Sequence, residues 1–95
     1  MLEVYPIRIM IVVDVRRRVL AGGEMQMDCE AVLLEHGSEQ DDLWGANWCP
    51  DEQYIEFESL INIRPRLGNQ SIVIQSEEIR GTVAAVAQDL LGGAR

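Results

Sequence analysis

Hydrophobic and polar residues alternate most regularly near the start of the chain. In IRIMIVVDV, residues 7–15, Ile7, Ile9, Ile11, Val13 and Val15 fall on one face and Arg8, Met10, Val12 and Asp14 on the other. Period-two alternation in a β-branched run, with the second face only half polar, predicts an interior strand. RRRVLAGG continues as a turn around Arg16–Arg17 and a short return strand ending at Gly22–Gly23, which closes a first hairpin.

EMQMDCEAVLLEHGS carries two periods at once. Met25, Met27, Cys29, Ala31 and Leu33 alternate as in a strand, whereas Cys29, Val32, Leu33 and His36 fit a helical stripe. The ends decide for a helix over 28–36. Asp28 can cap the first turn, Met27 and Val32 stand at staple positions, and Gly37 follows as the C′ residue. Two more strands are expected in DDLWGANW and QYIEFESLINI, joined through Cys49–Gln53 with Pro50–Asp51 as turn residues. RPRLGNQ reads as loop and SIVI as a short edge strand. Ser76 caps a final helix whose first turn holds Glu77 and Glu78. Ile79, Val83, Val86 and Leu90 form its apolar stripe, and Gly92–Gly93 end it. The order β-β-α-β-β-(β)-α predicts one α+β domain over residues 1–95: an antiparallel sheet of four to five strands with two helices on one face.

Register decides where the indoles go. If Trp48 pairs with Tyr54, then Trp44 and Trp48 stand on the face away from the helices; if it pairs with Ile55, both enter the core. The first register keeps Glu56 and Glu58 out of the core and is the one expected. It gathers Met10, Val12, Trp44, Trp48, Tyr54 and Leu60 into a patch too apolar to face water. A symmetric homodimer is the simplest cover for such a patch.

Charge narrows the partners further. Sixteen acidic residues stand against eight arginines, with no lysine, for a formal net charge of −8. That field repels phosphate backbones and anionic lipid, so neither nucleic acid nor a membrane surface is an expected partner. The apolar run at residues 7–15 is too short to span a bilayer and lacks the pattern of a secretory leader. Cys29 and Cys49 form no CxxC pair, and one histidine cannot complete a zinc site. No metal and no cofactor is expected, and both thiols read as reduced, in a cytoplasmic protein.

The candidate chemistry is thin. Arg64, Arg66, Asn69, Gln70 and Ser71, beside Asn62 on the preceding strand, concentrate guanidinium and amide donors at a Gly turn and could hold a small anion. Ion pairing of the arginines with local acids is the blander account. His36 and Ser38 lack a third orienting group, and Glu56 and Glu58 face no recognisable cleft. The acids of EHGSEQDD do not follow the order of a calcium loop. No catalytic residue can be named, which argues against an enzyme.

Several segments together resemble a known family. LAGGE, DCEAVLLE, LWGANW, ESLINIRP and GNQS, spread from about Val12 to Leu91, are similar to an uncharacterised bacterial and archaeal family, domain of unknown function 5674. The resemblance implies no substrate, cofactor or catalytic residue. The expected role is a self-associating, homodimeric binding module; the alternative is a small-anion binding protein or enzyme using Arg64, Arg66 and Asn69.

Overall fold

A computed structural model describes residues 8–93. Strands β1 (Ile9–Asp14) and β2 (Val19–Gly23) form the first hairpin, followed by α1 (Gln26–Glu35). Strands β3 (Leu43–Cys49) and β4 (Tyr54–Glu56) form the second hairpin, and α2 (Glu77–Leu91) closes the chain. The four strands make one antiparallel sheet in the order β2-β1-β3-β4, an α+β fold. The first strand was expected from Ile7, which lies outside the described residues.

The two helices pack on opposite faces of the sheet, which corrects the expectation that they share one. Ile11, Val13, Trp44, Ala46 and Trp48 meet Val83, Val86 and Ala87 of α2 on one face, with Ile74 beside them. On the other face Val12 and Leu43 meet Cys29 and Leu33 of α1. Both faces of β1 are therefore buried, which is why its second face is only half polar.

That arrangement also reverses the expected register. Trp48 pairs with Ile55 and Asn47 with Glu56, so the indoles enter the α2 side and are each only 2% exposed. The objection to this register was the fate of Glu56. The residue instead lies on the α1 side, where α1 does not cover β4, and its carboxylate pairs with Arg8 at 3.3 Å. Helix α2 thus covers the tryptophan face, which was expected to await a partner.

Other differences have local causes. Helix α1 starts at Gln26 after Met25, with no side-chain cap, rather than at a cap on Asp28. Its end follows expectation, since Gly37 takes a left-handed φ of 94°. The second strand of the second hairpin stops at Glu56, because Ser59 caps a tight turn over Leu60–Asn62. SIVI contributes a single bridge, Val73 to Glu58, and no strand. In α2 the Ser76 cap forms as expected, its hydroxyl accepting from the Ile79 amide at 3.2 Å. Ala87 takes the buried place expected of Leu90, which is exposed.

Asp14 ties the hairpin to the end of α1. Its side chain is fully buried; Oδ1 accepts from the Arg16 and Arg17 amides at 3.0 and 2.9 Å, and Oδ2 from the Ser38 hydroxyl at 2.6 Å. Burial raises its pKa, but the Ser38 hydroxyl and the two amides outweigh this and hold it below the ordinary aspartate value. A depressed folded-state pKa adds stability above the unfolded-state value, and that stability is lost as pH falls through the folded value. We expect the urea midpoint to fall on acidification below about pH 4, and Asp14→Asn to be less stable at neutral pH with a smaller acid-induced fall. A midpoint falling equally in both chains would remove Asp14 from this role.

Candidate functional site

The turns after β4 are held against the sheet by side-chain amides. Asn62 is fully buried; its Oδ1 accepts from the Gly45 amide at 2.8 Å, and its Nδ2 donates to the carbonyls of Gly45 and Ile72, each at 3.0 Å. One side chain thus pairs with Gly45 as an adjoining strand would. Gly45 permits the approach, because a Cβ there would lie 2.5 Å from the Ser59 Cβ and Oγ. Asn69, also buried, repeats the device. Its Nδ2 donates to the carbonyls of Asn62, Ser71 and Val73, and its Oδ1 accepts from the Gln75 amide at 2.7 Å. The Ser71 hydroxyl accepts from the Val73 amide at 3.1 Å.

These contacts pull Leu60–Arg66 alongside α1 and leave a trough between them. At one end lie Met10, Glu24, Met25, Met27, Leu60 and Ile61, around an open apolar hollow of about 280 Å³. Its floor carries Gln26, whose side chain donates to the Ala46 carbonyl at 2.8 Å and accepts from the Ser59 hydroxyl at 2.6 Å. Past the shared Leu60 and Ile61, a wider hollow of about 420 Å³ is lined by Glu30, Gln40, Asp41, Ile63, Arg64 and Arg66. The apolar walls stand open: Leu60 is 78% exposed, Met27 71% and Met25 56%.

The ionic end is internally matched. Arg64 donates through Nη1 to the Gln40 and Leu43 carbonyls and through Nη2 to the Glu30 carboxylate at 3.4 Å, with its guanidinium 5.4 Å from the Trp44 ring centre. Burial pulls its pKa down, against the raising effect of Glu30. Arg66 makes a two-pronged pair with Asp41, which raises the arginine and lowers the aspartate. The expected anion site is therefore dispersed. Asn62, Asn69 and Ser71 are spent on backbone groups, and of the six residues only Arg64 and Arg66 line the trough.

The expected dimer patch is dispersed as well. Val12, Trp44 and Trp48 are buried, Tyr54 is exposed on β4, and Met10 and Leu60 line the trough. Sequence reasoning missed Met25, Met27, Ile61 and Ile63. The available signal was that α1 has apolar residues on more than one face, which is also what made its strand and helix periods compete. Burial raises the pKa of both Cys29 and Cys49, so neither is an activated thiolate. Among the described residues no three His, Cys, Asp or Glu side chains converge as metal ligands, and no helix is long and apolar enough to cross a membrane.

The chain belongs to the family described as "Protein of unknown function (DUF5674)", which matches residues 1–90. No curated protein and no solved structure gives a significant match.

Proposed function

We propose that this chain is a self-associating binding module without catalysis of its own, and that its contact surface is the α1 side of the trough. The observation that carries this reading is helix α1 itself. Cys29 and Leu33 face the sheet, yet Met27, Ala31, Val32 and Leu34 are exposed on the outward surface. A helix that is apolar on its outer side as well as its inner one is ordinarily covered on both. Met27 adjoins Met25 and Leu60 at the apolar end of the trough, while Val32 lies on the other flank of the helix, beside Leu20 and Ala21. Small-anion binding has less support, because the guanidinium groups that would serve it already have protein partners.

Sedimentation velocity at micromolar protein tests this, with enough salt to screen the −8 charge on each copy. We expect a species of twice the 10.7 kDa chain mass; only the 10.7 kDa species would contradict the reading.

A further inference from the structure

We infer that the outer edge of β2 binds an extended, basic segment of another protein, which adds a strand to the sheet beside α1. Strand β2 ends the sheet, and Val19–Gly23 pair with β1 in unbroken register. Alternate backbone groups of a strand point to opposite sides, so the outer row of β2 has no neighbour in the sheet. Among the described residues no other group hydrogen-bonds to Val19–Gly23. Sheet edges are ordinarily blunted by proline, lysine, a bulge or an inward charge, and VLAGG has none of these. The opposite edge, β4, is kept to three residues. A row of free amides and carbonyls is covered by another strand.

The flank of the edge selects the side chains of that strand. Ala21 stands opposite Val12 and so faces α1, as does Gly23 two residues on. Because both are small, an open hollow of about 580 Å³ remains between them and Cys29 and Val32 of α1. Every second residue of an added strand leans into this space. Its wall on α1 is apolar, with Val32 46% exposed. Its charged lining is Glu24 and Asp28, and neither carboxylate has a hydrogen-bond or ion-pair partner among the described residues. Two free carboxylates on a chain of net charge −8 select arginine or lysine beside an apolar residue. The trough lies on the other flank of α1, so this site stands or falls apart from self-association.

Fluorescence anisotropy with a labelled peptide, valine and threonine flanked at both ends by arginine, tests this. We expect saturable binding at micromolar protein, with slower deuterium exchange of the β2 amides in the complex. Glu24→Gln combined with Asp28→Asn, both exposed, should weaken binding about tenfold without loss of fold. The same peptide N-methylated at each valine and threonine keeps its charge but cannot pair as a strand, and it should not bind. Equal binding of the N-methylated peptide, or of one with glycine at those positions, would reduce the contact to charge and overturn the inference. Failure of the first peptide to bind would overturn it as well. Protection of the β2 amides that rises with protein concentration, without peptide binding, would give the edge to a second copy instead.

Discussion

Asn62→Ala is expected to destabilise the fold by about 3–5 kcal/mol, from backbone groups left without partners at roughly 1–3 kcal/mol each. The Gly45 amide and carbonyl would be left without partners, and the Ile72 carbonyl would keep only the Ser59 amide. Folded domains have only about 5–15 kcal/mol in total, so the variant should unfold at much lower urea. Asn62→Asp should do no better, because it sets an acceptor against two carbonyls and buries a charge. Urea unfolding followed by the fluorescence of Trp44 and Trp48 measures this. A loss below about 1 kcal/mol would mean that the amide staples are incidental.

The two arginines of the trough should behave very differently from each other. Arg64→Gln is expected to cost about 2–4 kcal/mol, because hydrogen bonds to a charged group contribute about 1.5–3 kcal/mol and Glu30 would be left partly buried without its cation. The side chain is only 11% exposed and holds the turn at Gln40 and the end of β3 at Leu43 together. Arg66→Gln should leave the urea midpoint nearly unchanged, since that pair with Asp41 stands in solvent. Equal, small effects of both substitutions, together with loss of binding to inorganic phosphate, would instead restore these arginines as an anion site.

What the sequence made legible divides along local and non-local lines. The first hairpin, both helices, the Ser76 cap, the Gly37 helix end and the Pro50–Asp51 turn were all readable, because each depends on residues close together in the chain. The antiparallel sheet followed from them. The tryptophan register was not readable. It depends on which face α2 covers, and one residue of slip exchanges every side chain. The end of β4 was hidden for a related reason. Residues 54–63 alternate as a longer strand would, but Ser59 and Asn62 recruit the chain into a turn whose partner, Gly45, lies far back in the sequence. The candidate site carries the same ambiguity. Asn62, Asn69 and Ser71 were singled out as donors for a ligand, and donors of that kind serve equally well for a neighbouring backbone.

The family segments acquire a physical meaning from this. LWGANW supplies Gly45, ESLINIRP supplies Ser59, Asn62 and Arg64, and GNQS supplies Asn69 and Ser71. These residues interlock to hold the Leu60–Arg66 turns beside α1, and so they build the wall of the trough. The chemistry of the segments is scaffold chemistry, and the surface they create is the one on which the proposed self-association rests.

Sedimentation equilibrium on Leu34→Glu and Leu90→Glu chains, side by side with the unaltered one, tests that surface most directly. Both leucines are exposed, one on the outer stripe of α1 and the other on α2, so the same charge is added to opposite sides of the molecule. The account predicts a monomer for Leu34→Glu, and for Leu90→Glu the same dimer as the unaltered chain. A monomer produced by Leu90→Glu alone, or the same dimer in all three chains, would contradict it.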